Sequence, residues 1–195
     1  VHGLVALMEI QASRTAARTG RDGEPVLLAD QDRRAWDRLL IRRGLAALQR
    51  AESLSKPIGP YTLQAAIAAC HARATRAQDT DWARIASLYV VLAHVWPSPV
   101  VELNRAVAVG MADGPAAGLA VLDAAVNRGE LDDYPLAHAV RGDLLARSGN
   151  HGEAAQHFHR AAELTRNAGE RKVFTRRAAE LAASAVSAGC RPPGS

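Results

Sequence analysis

The chain is poor in cysteine, lysine and aromatic residues, and each shortage excludes something. Two cysteines in 195 residues, Cys70 and Cys190, supply neither a disulfide framework nor a metal-ligand spacing, so a reducing cytosol is the expected location. Aromatic side chains make up only 4% of the chain, and no apolar run approaches the ~18 to 20 residues of a membrane span. The longest, around Leu88 to Trp96, is interrupted by His94, and no export signal is evident. Lysine is nearly absent, with Lys56 and Lys172 alone, so the net charge of +4 is carried by arginine. Spread along the chain, that charge favours solubility over a nucleic-acid site. No Gly-rich phosphate cradle, nucleophile elbow or Cys/His pair occurs, which leaves catalysis and a cofactor without support.

Alanine dominates instead, with 41 residues. Alanine is the best intrinsic helix former and is depleted in strands, so the composition predicts an all-helical fold. Breakers divide the chain into segments of packed-helix length. The expected helices cover 4–18, about 30–53 with Asp30 or Asp32 as cap, 61–76, 81–95 after a cap at Asp79 or Thr80, 100–111, 115–127 opened by Asp113 as cap, 134–148, 151–165 and 170–187. Polar loops are expected at 19–25 and 128–133, and a disordered tail at 189–195. On the second helix Trp36, Leu39 and Leu40 form one apolar stripe and Ile41, Leu45 and Leu48 another, which implies neighbours on two sides.

Helix pairs at intervals in the mid-thirties call for a repeat test. Gly142, Gly149-Asn150, Ala154, Phe158 and Ala161 have the spacing of a tetratricopeptide unit, in which a small residue sits where two helices cross. Ala117, Val121 and Ala124 mirror the second-helix positions in the preceding pair, with Arg105 where Gly142 would be. The expected architecture is a right-handed stack of antiparallel helix pairs forming one domain over 1–188. Residues 1–58 are an atypical lead-in, 59–168 the degenerate repeats, and 169–188 a capping helix with Phe174, Ala178, Leu181 and Ala185 on its apolar face.

Candidate chemistry is sparse. His151, His157 and His159, with His138 nearby, are the densest histidine group, but at ~100° per residue His157 points away from the other two, so no metal site is expected. Asp30 with Asp32 and Asp79 with Asp81 resemble paired carboxylates, yet both pairs fall at helix starts, where acids cap free N–H groups. Arg34, Arg38 and Arg42 make a basic stripe at helical spacing, and Arg171, Lys172, Arg176 and Arg177 a second cluster. Interleaved acids and the lack of aromatics favour a solvated face over a nucleic-acid contact. The tryptophans and tyrosines are expected as helix anchors, and Cys70 as a small buried apolar residue.

Several motifs occur together in one order. They are Leu27-Leu28-Ala29-Asp30-Gln31-Asp32-Arg33 with Trp36-Asp37, Gly59-Pro60-Tyr61-Thr62-Leu63-Gln64-Ala65-Ala66-Ile67, and Asp79-Thr80-Asp81-Trp82. Ser98 to Ala108, which contains Glu102-Leu103-Asn104-Arg105, follows and runs into Asp113-Gly114-Pro115. Over about residues 4 to 182 the chain resembles the tetratricopeptide-like C-terminal extension of a group of bacterial extracytoplasmic-function sigma factors. The resemblance implies a module that regulates its sigma factor in cis, through contacts with sigma regions 2 and 4 of the same polypeptide or with the RNA polymerase core. It implies no direct DNA contact by this segment, and a homodimer is compatible with it. The Val1 start is expected to reflect residues upstream. Exposed candidates for the protein contact are Asp30, Asp32, Arg34, Arg38, Arg42, Asp79, Asp81, Asn104, Asp113, Gly114 and Pro115. A free-standing repeat adaptor that binds a peptide is the alternative.

Overall fold

The computed structural model describes residues 1–20, 26–54, 57–129, 131 and 133–189, the side chains of 188 and 189 excepted. Most of the loop expected at 19–25, Lys56, Glu130, Asp132 and the tail from Cys190 onward lie outside the described residues. All regular structure among the described residues is helical, nine α-helices and three 3-10 turns, as the alanine content predicts. The chain divides into two compact units, Val1–Pro97 and Ser98–Ser195.

The first unit holds α1 (His2–Ala12), α2 (Arg38–Ser53), α3 (Pro60–Arg73) and α4 (Trp82–Val95). Helix α1 packs against both α2 and α3, and α4 against α3, so the lead-in helices share a core with α3. That core unites Ala6, Ile10, Trp36, Ile41, Leu48 and Ala69. It is tight where α2 crosses α1, because a Cβ added at Gly44 would lie 2.6 Å from Ile10 Cγ1 and 3.1 Å from the Ala6 carbonyl oxygen.

The structure moves the start of α2. Neither Asp30 nor Asp32 caps it; Asp37 does, accepting the N–H groups of Leu39 and Leu40 at 2.8 and 3.1 Å. Asp32 caps a separate 3-10 turn, Arg33–Ala35, by accepting the Arg34 N–H at 3.0 Å. Trp36, in extended backbone, separates the two. Arg34 therefore does not belong to α2, and the three-arginine stripe does not exist as a helix face. The first of the two expected apolar stripes fails as well. Trp36 is buried off the helix while Leu39 is exposed, and α2 buries Ile41, Gly44, Ala47 and Leu48.

The second unit comprises α5 (Pro99–Ala112), α6 (Pro115–Val126), α7 (Pro135–Arg147), α8 (His151–Leu164) and α9 (Ala168–Gly189), each packed on the next. Helices α3, α5, α6 and α7 start with proline in the first turn, where a missing N–H is harmless. Asp113 makes no cap bond to α6. The cap residue is Gly114, whose φ of +99° lies in the region that favours glycine. On α8 the buried series is Ala154, Phe158 and Ala161, as the repeat reading expects. On α6 it is Gly118, Leu122 and Ala125, each one residue later than expected, while Ala124 is exposed. The same shift puts fully buried Ala106, not Arg105, opposite the crossing. The α5/α6 pair thus has the small residue that the sequence reading found missing.

The closest helix crossing yields a prediction. A Cβ on Gly118 would lie 2.8 Å from both the Gly110 Cα and the Ala106 carbonyl oxygen, whereas one on Gly152 would meet nothing within 4 Å. In urea unfolding, Gly118→Val should lose about 2–3 kcal/mol through overpacking of backbone against backbone. Gly152→Ala should lose nothing and gain up to ~1 kcal/mol.

Candidate functional site

Two of the motif segments meet in the first unit, and the residue that joins them is Arg33. Because Asp32 turns its own carboxylate outward to cap the 3-10 turn, the next side chain is directed into the fold, and Arg33 is 6% exposed. One terminal guanidinium nitrogen donates to the carbonyls of His71 and Ala74, and the other to Thr80 Oγ1 at 3.1 Å. The first two acceptors are carbonyls at the C-terminal end of α3, which lack partners within the helix and carry the negative end of its dipole. The Trp36 ring lies 5.1 Å from the guanidinium carbon. Thr80, expected as an exposed cap, is buried as an acceptor for Arg33. Asp81 instead caps α4, accepting the Arg84 N–H at 2.9 Å, and Asp79 forms a forked pair with Arg76 at 2.8 and 2.9 Å. That pair holds the Asp79 carboxyl below its usual range.

A cavity of about 170 Å³ lies close by, among α1, α3 and α4. Leu7, Leu28, Ile67 and Ala68 line it together with Gln11, Arg14, Gln64, His71 and Tyr89. Arg14 bonds to Gln11 Oε1 and approaches the Trp36 ring at 5.7 Å. His71 is 9% exposed, meets the Trp82 ring edge-on at 5.2 Å, and leaves its buried Nδ1 without a hydrogen-bond partner. Burial first, then the charges of Arg33 and Arg14, push this imidazole down to about 4. It is therefore neutral at pH 7.

The remaining sequence candidates are dispersed. Asp30, Arg34, Arg38 and Arg42 are exposed in the first unit; Arg34 pairs locally with Asp32, and Arg38 reaches back to the Arg33 carbonyl oxygen at 3.5 Å. In the second unit Asn104 and Asp113 are exposed, and Gly114 and Pro115 form the tight α5/α6 turn. The histidine group separates. His159 faces Glu163 on its own helix, while His138 and His157 place their Nδ1 atoms 3.1 Å apart across the α7/α8 pair. With ring centroids 5.4 Å apart and planes at 26°, the two nitrogens lie nearly in line between the rings, the geometry of one shared proton. Among the described residues no three His, Cys, Asp or Glu side chains gather as a metal site. Among them, too, no helix is long and apolar enough to cross a membrane.

Residues 1–52, from α1 to the last turn of α2, match a family of unknown function (DUF6596). Over 168 residues, 86% of the chain, the sequence is 48% identical to an uncharacterized protein of Rhizobium meliloti (strain 1021). The chain spans 39% of that relative's length. No solved structure matches the chain.

Arg33 and His71 each carry a measurable consequence. Arg33→Met strands two helix-terminal carbonyls and the Thr80 hydroxyl, and should lower unfolding free energy by about 3 kcal/mol. Arg33→Lys keeps the charge but not the fork and should fall between the two. His71 binds a proton less readily folded than unfolded, so its contribution is fully present above about pH 6.5 and is lost as pH falls toward 4. The groups facing it are Arg33, Arg14 and Tyr89, none of them acidic. Urea titrations from pH 7 to 4 should show a loss of up to ~3 kcal/mol that His71→Phe lacks.

Proposed function

We propose that this chain is a helical regulatory module of an extracytoplasmic-function sigma factor. It works by protein contact with sigma regions 2 and 4 of the same polypeptide, or with the RNA polymerase core, in the cytoplasm. The observation that carries the reading is the ordered set of motifs from Leu27 to Pro115, too many and too consistently placed for a single-motif coincidence. The relative, more than twice as long as this chain, leaves room for sigma regions elsewhere in such a polypeptide. On this reading the module performs no chemistry of its own, and its exposed charges are its means of recognition. Arg42 and Asp113 suit that role, since among the described residues neither side chain makes a cap bond or an ion pair, although the Asp113 backbone closes α5. A free-standing adaptor is the second reading. It is favoured by an open groove along α8 and α9, lined by Ala155, Ala162, Ala178, Ala179 and Ala182, in which an amphipathic helix would fit.

The two readings part in a transcription assay with the full-length protein. Removing the segment should change promoter-dependent transcription several-fold, and Arg42→Glu and Asp113→Lys should do so while circular dichroism and thermal midpoint stay unchanged. Unaltered transcription by all three folded variants would refute the sigma-module reading. A coding frame that starts near Val1 would favour the adaptor.

A further inference from the structure

We propose that the cavity among α1, α3 and α4 is a binding site for a small monocarboxylic acid whose apolar body is about the size of a six-membered ring. The inference does not depend on the sigma-module reading. Size comes first: an apolar cavity of about 150 Å³ accommodates a benzene-sized guest. The cavity here holds about 170 Å³. It is a half-open, mixed cavity, in which Leu7, Leu28 and Ile67 offer an apolar side to a hydrocarbon body and polar groups line the rest.

Charge comes second. Arg14 lines the cavity, and among the described residues no carboxylate pairs with it; the nearest charges acting on it, Arg18 and Arg33, are also positive. Arg33 is hydrogen-bonded only to neutral acceptors among the described residues, with Asp79 acting on it through its charge. One wall of the cavity is therefore a cationic group that no carboxylate among the described residues pairs with, in surroundings where a carboxylate would be held by charge-assisted hydrogen bonds.

Unused hydrogen-bonding capacity comes third. His71 is buried with Nδ1 unpartnered, and the half-buried Gln64 and Tyr89, which line the same cavity, add an amide and a hydroxyl. Buried polar groups are normally satisfied, so the open Nδ1 of His71 at the cavity wall points to a guest that engages it. One available guanidinium, neutral donors and apolar walls together select a monoanion with a hydrophobic body. A phosphate dianion would bring more charge than Arg14 alone offsets and would meet leucine and isoleucine on the remaining walls. An occupant would brace α1, α3 and α4 against one another, so its binding is a means of signalling to the surfaces those helices carry.

The test is calorimetric titration of the purified chain with benzoate and cyclohexanecarboxylate, with benzamide as the neutral isostere. The acids should bind one to one and raise the thermal midpoint. Benzamide should bind at least about 10-fold more weakly, and Arg14→Gln should weaken benzoate by about 10- to 100-fold. Ala68→Met, which fills the cavity without touching its polar groups, should abolish binding, with circular dichroism reporting that both variants fold. The proposal is overturned if neither acid binds at about 10 mM. Equal binding of benzamide and benzoate, or undiminished binding to folded Arg14→Gln or Ala68→Met, would overturn it as well. If a variant unfolds, the benzoate-against-benzamide comparison on the native chain decides.

Discussion

The first unit depends on a buried guanidinium whose hydrogen-bond partners among the described residues are all neutral, with the charge of Asp79 acting on it from outside that set. Arg33 lies far along the chain from each of its acceptors, and through them it ties the segment before α2 to the end of α3 and the start of α4. An ion pair in that place would require two charges to be stripped of water. Here one charge is met by carbonyls that the helix end leaves unpaired anyway, by a hydroxyl and by an aromatic face, and every partner is neutral. The two aspartates on either side of it, Asp32 and Asp37, face outward and cap turns, so the acidic residues of the motif are excluded from neutralising the arginine between them. The consequence extends beyond local stability. Burial keeps His71 neutral, helped by the charges of Arg33 and of Arg14, which lines the adjoining cavity.

Alanine-rich packing sets the second constraint. A buried alanine removes little apolar area from water, so helices lined by alanine gain stability only by coming close enough for backbones and β-carbons to touch. The crossings at Gly44 and Gly118 show how close that is. Larger side chains then serve as a few well-separated anchors, such as Ile10 and Leu48 in one unit and Leu122 and Leu131 in the other. Such packing tolerates the loss of a methyl better than the gain of one, which inverts the usual vulnerability of a protein core.

The helices were legible because breakers bound them, and the prolines and glycines do in the structure what those residues do in any chain. The register of α6 was not, for a physical reason. Where Ala116, Ala117, Gly118, Ala120, Ala124 and Ala125 are all small, hydrophobic periodicity hardly distinguishes one face from the next, and Leu122 alone marks the buried side. Arg33 was hidden differently. It stands beside Arg34, identical in type, and only the turn capped by Asp32 sends one inward and leaves the other in water. The carbonyls that hold it are backbone groups, invisible to any reading of side chains. The His138–His157 contact could have been found. Once Gly142 is placed against Ala154 and Phe158, the antiparallel run of α7 and α8 brings position 138 beside 157.

These assignments also change which surface residues can carry recognition. Asp32, Asp37 and Asp81 all have carboxylates committed to backbone N–H groups, so replacing them perturbs a turn before it perturbs a partner. Thr80 and Arg33 are interior ties. A motif in which most polar residues have such duties is recognisable because folding constrains it, and its presence marks an architecture more directly than a contact. On the reading proposed above, recognition would fall to exposed side chains that make no cap bond, Arg42 and Asp113 among them, and to the cavity with its unpartnered His71 Nδ1. Surface and cavity meet in the same few helices. Arg42 lies on α2, which packs on α1, and α1 supplies Gln11 to the cavity wall and leads directly into Arg14. The proposed guest, by stiffening α1, would act through one helix contact on the element that displays the exposed arginine.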